Sequence, residues 1–341
     1  MSESRRSPYL VSAAYDWAFF LLPPLVSLLL GIVLSRTPLA QQRFWVGQHE
    51  QTGTRFAVGI LIHAHLVAAL LRSHGNPAIR RLHPLRFFVV PIVLFLAIRS
   101  SAWIALTSTV VAVFWDVWHS GAQTFGFGRI YDRNVGNPPQ IGRRLDYWLN
   151  HVLYAGPILG GVTLIDHLAQ LDGYQELGTL LFVNVPVYAV SFRRVLSISV
   201  LVVGTLFLLV YVACYVRLWR KGYRVSPLKV FLFTTTGACS VYTWGLNSWG
   251  EAFFIMNLFH AVQYLALVWV TEGRSLAARL GPLGRHRVVA WTLYVLVLLL
   301  YGLGAEIVDL KHETLWSITM VVSLLHFWYD GFIWSVVKKQ I

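Results

Sequence analysis

Charge is scarce in this chain. Only 13% of its 341 residues are Asp, Glu, Lys or Arg, about half of what soluble globular domains carry. So few charges cannot clothe a surface that faces water throughout, which excludes an ordinary soluble domain. Cysteine is nearly absent: Cys214 and Cys239 both lie inside apolar runs, so there is no disulfide framework and no thiolate cluster for a soft metal. HExxH, Gly-x-Ser-x-Gly and CxxCH are missing as well, which leaves zincin, serine-hydrolase and c-type haem chemistry without motif support. The glycines of TFGFG at 124–128 end an apolar helix with no strand before them, so they do not form a nucleotide loop.

What is abundant is apolar sequence, 56% of residues, with a mean hydropathy of +0.59. A helix needs about 20 apolar residues to cross the hydrocarbon core of a bilayer. Ten segments meet that length, near 15–35, 56–72, 86–100, 102–126, 146–165, 195–217, 228–247, 251–271, 288–308 and 314–336. The expected fold is therefore all-α, a polytopic helix bundle of ten transmembrane helices forming a single domain, residues 1–341. The first apolar run contains Pro23 and Pro24 and no small-x-small cleavage site, so it reads as a retained, kinked helix rather than a signal peptide. The third run is short and holds Pro91. The stretch 178–190 is too short to span and carries Pro186, which suggests a re-entrant or interfacial segment.

The net charge of +13 invites a nucleic-acid reading, but the distribution of charge rejects it. Arg and Lys sit in the connections between apolar runs, where they act as topology signals and contacts for anionic lipid. With both termini in the cytoplasm, the inner segments hold 21 of the 28 basic residues, Arg72, Arg129 and Lys229 among them. A missed or invented helix would have mixed the two sides. The preference for Arg over Lys, 23 to 5, fits a GC-rich bacterial genome and hence a bacterial plasma membrane.

Ionisable residues at membrane depth are costly and usually serve a site, a partner or a path. Here histidine dominates: His63, His65, His119, His151, His260 and His326 fall inside the proposed spans. The second, fourth, eighth and tenth helices all run from outside to inside, so their histidines can meet in one layer. Residues three or four apart share a helix face. Asp116, His119 and Gln123 thus line one stripe, Asn257, His260 and Tyr264 another with Gln263 close by, and His326 and Asp330 a third. Each helix offers a histidine plus a carboxylate, amide or phenol able to hold its second ring nitrogen, as metal-ligating histidines require. His63 and His65 differ: two positions apart means about 200° of rotation, so both cannot face one centre.

A single membrane histidine is as often an interhelical hydrogen-bonding residue. Histidines on five helices at comparable depth point instead to a metal site. His63 or His65, His119, His260 and His326 are the expected ligands; Asp116, Gln123, Asn257, Gln263 and Asp330 surround them, and Tyr264 is the candidate proton or hydrogen-bond donor. Imidazole with carboxylate or amide support suits iron, zinc or copper. Non-haem iron with open positions is the arrangement oxygen-activating enzymes need, acting on a lipid, quinone or carotenoid, with zinc or haem b as other fillings and an unidentified redox partner. Tryptophans such as Trp115 and Trp328 are interfacial anchors, or else the lining for an apolar substrate.

Membrane desaturases and hydroxylases, and membrane zinc hydrolases of the ceramidase type, use an HxxxH pair that this chain lacks. In broad design the chain resembles the bacterial carotenoid dioxygenases, in which single histidines from several membrane helices hold one iron. Two other classes compete with the metalloenzyme: a proton-coupled transporter using the same His and Asp residues as a relay, and a b-type haem protein with two histidines axial.

Overall fold

Proline opens five of the described helices in this chain. The computed structural model describes residues 7–46, 49–163, 191–247, 252–308 and 312–334. Helix α1 (Ala13–Asp16) continues as a π-turn over Trp17–Leu21, and α2 (Pro23–Leu34) follows. Then come α3 (Pro38–Gln41) and an antiparallel ribbon of β1 (Arg43–Val46) and β2 (His49–Thr52), in which Arg43 pairs with Thr52. The remaining elements are helices: α4 (Gly53–Ser73), α5 (Pro77–Leu82), α6 (Pro84–Ser100), α7 (Ala102–Asn134), α8 (Arg143–Gly160), α9 (Arg193–Arg220), α10 (Pro227–Ser240, with a π-turn over Val241–Leu246), α11 (Ala252–Arg279), α12 (Arg287–Glu306) and α13 (Glu313–Ile333). Proline stands in the first turn of α3, α5, α6 and α10, where its missing N–H has no helical partner to lose. Gly222, with φ of 90°, makes the tight turn after α9 that an L side chain would resist.

Among the described residues, five helices are long and apolar enough to cross a membrane: α4, α7, α9, α12 and Phe254–Arg279 of α11. Ala13–Leu21 and Pro23–Leu34 together meet the same test but are bent by 47°, at the Pro23–Pro24 pair that the kink requires. Helix α9 makes the case for a lipid surroundings most directly. No residue of its most apolar stretch is buried, and Leu201, Val203 and Leu209 are each more than 60% exposed, a surface that water would not tolerate over seven turns. Helix α6 runs unbroken through Pro91, and the 178–190 segment lies outside the described residues.

The contacts divide the chain into two compact units, 1–31 with 117–256 and 32–116 with 257–341. The first is centred on buried charge. Asp146 Oδ2 takes Arg129 Nη1 at 2.6 Å, and its Oδ1 accepts from Tyr211 and Tyr215 at 2.9 and 2.6 Å. Lys229 Nζ reaches Asp132 at 2.6 Å, Tyr215 at 2.9 Å and Asp146 at 3.4 Å, while Tyr223 donates to Asp132. Two cations thus balance two carboxylates, with phenols filling the remaining lone pairs, the condition under which buried ion pairs are tolerated. Burial first, and then the Asp132 carboxylate, raise the Tyr223 phenol above its ordinary pKa.

The second unit packs α4 against α11, α12 and α13. Small residues allow the close approach: Ala64, Ala68 and Ala69 of α4 are fully buried against Tyr264, Val268, Tyr294 and Leu298. At Gly302 of α12 a methyl group would collide with the Ile60 carbonyl of α4. Interfaces of this kind, tight because the side chains are small, are how helices associate without a hydrophobic driving force between them.

Candidate metal centre

That tight face of α4 carries His65 into contact with two other helices. The Thr52 hydroxyl accepts the Arg55 N–H and fixes the first turn of α4, and Ala64 leaves room for the neighbouring backbone. The His65 ring stands perpendicular to His260 of α11 at 5.0 Å between centroids and to His326 of α13 at 4.9 Å. All three are at most 1% exposed. One ring nitrogen from each lies within 4.8 Å of the others. Three nitrogens bonded to one ion at about 2.1 Å would sit roughly 3.0 to 3.4 Å apart, so the rings need to close by no more than about 1.8 Å. Among the described residues, neither ring nitrogen of His65 has a side-chain hydrogen-bond partner. Its own helix offers the ring backbone contacts at Leu61 and Ile62, and a cation is what the neighbouring imidazoles can share with it.

Tyr264 and Asp330 close one side of the cluster. The Tyr264 ring lies 4.6 Å from His326 and 5.8 Å from His65, and its hydroxyl donates to Asp330 Oδ1 at 2.8 Å. Trp334 Nε1 donates to the same oxygen at 2.9 Å. Asp330 Oδ2 is 3.8 Å from His326 Nε2, an electrostatic contact longer than a hydrogen bond. Asn257 and Gln263 are buried on α11 beside His260, at 4% and 0% exposure.

His63 lies across α4 from the cluster, its Nε2 3.5 Å from Glu306 Oε2 of α12, so the pair diverges as a separation of about 200° demands. His119 is buried on the part of α7 that belongs to the first unit; Gln123 is half-buried one turn on, and Asp116 half-buried one turn before. His151, in the first unit, is stacked on Trp118 at 4.0 Å with Tyr147 at 4.4 Å.

Several residues that matter at the centre carry no obvious sequence signal. Arg72, which counts by position as a cytoplasmic topology charge, pairs with Glu272 of α11 at 2.6 Å, both side chains 3% exposed. Its Nε donates to the Ile333 carbonyl at 3.0 Å, and its guanidinium lies 4.1 Å from the centroid of Trp334. Asn76 adds a donor to Glu272 at 3.0 Å. This ion pair therefore braces Trp334, which holds Asp330, which faces His326. The available signal was the scarcity of acid: Glu272 lies close to Arg274 and Arg279 in sequence but is one of only 15 carboxylates in the chain.

No protein-family model, curated protein or solved structure matches this chain.

Proposed function

We propose that the chain is a membrane-embedded metalloenzyme in which His65, His260 and His326 hold one non-haem iron ion and a lipophilic substrate is oxidised beside it. The observation that carries this reading is the convergence of three buried imidazoles, from three helices, with a ring nitrogen of each within 4.8 Å of the others. Three neutral nitrogens leave coordination positions open. An iron ion bound there would supply oxygen activation or electron transfer. The chain's own groups do the rest: Asp330 opposes His326, Tyr264 and Trp334 fix Asp330, and the apolar helix faces keep bulk water away.

Two features favour iron over the other fillings. Zinc at three histidines typically serves hydrolysis, which needs a delivered water, whereas rings at most 1% exposed suit dioxygen and other apolar reactants that partition into lipid. A haem would need a flat gap between its axial imidazoles, and these rings meet edge to face at 4.9 and 5.0 Å. The ten-span arrangement with both ends inside, and a bacterial plasma membrane location, belong to the same proposal. They are supported by the basic clusters and by α6, α8, α10 and α13, which occupy the remaining apolar runs. Elemental analysis with an optical spectrum, on protein purified in detergent without added metal, tests the reading. Near-stoichiometric iron and no Soret band are expected; metal-free protein, or haem, would overturn it.

A further inference from the structure

The first unit carries buried polar side chains well beyond its charge centre. On α10, Lys229, Thr236 and Ser240 share one helical face, seven and four residues apart, and Thr243 follows in the π-turn with Asn247 at its end. All five are at most 2% exposed. Helix α8 presents Asp146, Asn150 and Tyr154 at intervals of about one turn. Bonds from Lys229 to Asp132 and Asp146, between Thr124 and Tyr154 and from Ser240 to the Leu153 carbonyl at 2.6 Å set α7, α8 and α10 side by side over this length. At 1.5 Å per residue from the Lys229 level, Asn150 stands about 6 Å along, Thr236, Tyr154 and Thr124 about 11 to 12 Å, Ser240 about 17 Å and Asn247 roughly 27 Å. The stripe is thus nearly as long as the ~30 Å hydrocarbon core of a bilayer.

Small polar residues are common where membrane helices pack, but their hydroxyls can be satisfied by a carbonyl of their own helix. Thr235 bonds Phe231 at 2.9 Å and Leu232 at 3.2 Å in this way, and Thr271 bonds Leu267 at 3.0 Å. The stripe departs from that habit. Ser240 reaches across to α8, and Thr124 is nearer to the Tyr154 hydroxyl, at 3.1 Å, than to its own Ser120 carbonyl at 3.4 Å. Among the described residues, the Thr236 hydroxyl has no hydrogen-bond partner, and a buried hydroxyl in that condition calls for one. Polar side chains recur roughly every 4 to 6 Å along the stripe, about the span that one water bridges with two hydrogen bonds of about 2.8 Å.

We propose that this stripe is a proton path, in which waters held between the side chains pass protons along α10 between its Lys229 and Asn247 ends. Each transfer breaks one O–H bond and forms the next, with no change of oxidation state. The charge centre is the entry: Arg129, 10% exposed at its side chain, touches both Asp132 and Asp146. Phe233 is the gate. Its ring lies one turn after Lys229, at the level of Asn150, packed on α7 where Gly128 has no side chain, an apolar step that offers water no partner. The path lies wholly within the first unit and does not depend on the metal centre.

The experiment reconstitutes the full chain in liposomes holding a pH-sensitive dye, steps the external pH, and clamps the membrane potential with potassium and valinomycin. Phe233→Ala should collapse the pH gradient several-fold faster than protein-free liposomes and faster than the wild type. Thr236→Val or Ser240→Ala, added to Phe233→Ala, should remove most of that flux. Phe233→Ala liposomes as tight as protein-free ones, or a flux that both added substitutions leave unchanged, would overturn the path. The wild type supplies an arm free of substitutions: hydroxyl radicals made by X-ray radiolysis of water should oxidise the buried Tyr154 and spare the buried Tyr294 of the second unit. Tyr154 left unmodified would overturn the path as well. Stripping metal with a chelator should leave the flux unchanged, so iron content bears on the metalloenzyme reading alone and proton flux on this one.

Discussion

Tyr264 donates its phenolic proton to Asp330 Oδ1 across 2.8 Å, joining α11 to α13 at the level where each contributes a histidine. The bond fixes the carboxylate so that its second oxygen faces His326. It also commits the Tyr264 hydroxyl, which sequence had offered as a proton or hydrogen-bond donor, to a supporting carboxylate. Supporting contacts of this type usually determine how well a metal is held.

Tyr264→Phe removes one of the two donors to Asp330 Oδ1 and leaves Trp334. The expected cost is about 1 to 3 kcal/mol, the range for a buried acceptor that loses a partner. Iron affinity should fall while the ion still binds, because no ligand is lost. Thermal unfolding in detergent and metal competition titration check the two effects; unchanged affinity would detach Asp330 from the centre.

Arg72→Ala strands the Glu272 carboxylate in a site 3% exposed and should destabilise by about 3 to 5 kcal/mol, as breaking a buried pair does. Arg72→Lys keeps the charge but lacks the flat guanidinium that covers Trp334. It should recover part of the stability and less of the iron affinity. Equal recovery of both would place Arg72 in the fold alone.

In the first unit, Lys229→Met leaves Asp132 and Asp146 with Arg129 as their shared cation. A loss of about 3 to 5 kcal/mol is expected for the uncompensated carboxylate. Asp132→Asn combined with Lys229→Met removes one charge of each sign and should be milder than Lys229→Met alone. Denaturation midpoints of the two variants decide this, and a double variant worse than the single one would contradict the charge-balance account.

Gly302→Leu forces a side chain into the Ile60 carbonyl and must push α12 away from α4. Overpacking of this kind costs about 1 to 3 kcal/mol. Because α4 carries His65, iron content should drop although position 302 touches no ligand. Gly304, with open space where its Cβ would stand, is the control: Gly304→Ala should cost no stability and leave iron unchanged.

Much of the fold was legible because it depends on local composition. The apolar runs near 56–72, 195–217 and 288–308 are the helices Gly53–Ser73, Arg193–Arg220 and Arg287–Glu306, the first two longer at both ends because polar residues continue a helix after hydropathy falls. The kink at Pro23–Pro24 was equally local. The centre was only partly legible. Periodicity tells that His63 and His65 diverge but not which of them turns inward; that depends on the small face of α4, where Ala64, Ala68 and Ala69 admit α11. Arg72, Arg129 and Lys229 looked like loop charges because a basic residue at a helix end serves topology and ion pairing alike. Their partners Glu272, Asp132 and Asp146 come from other turns or other helices, a pairing that only packing reveals.

The most direct test of the central claim is X-ray absorption at the iron edge on the purified protein, read beside His65→Ala and His63→Ala. Imidazole scattering consistent with three nitrogen ligands near 2.1 Å is predicted for the wild type and for His63→Ala, whose position 63 faces Glu306 instead. His65→Ala should lose the ion. Iron retained in His65→Ala with its coordination unchanged, or lost only in His63→Ala, would contradict the account.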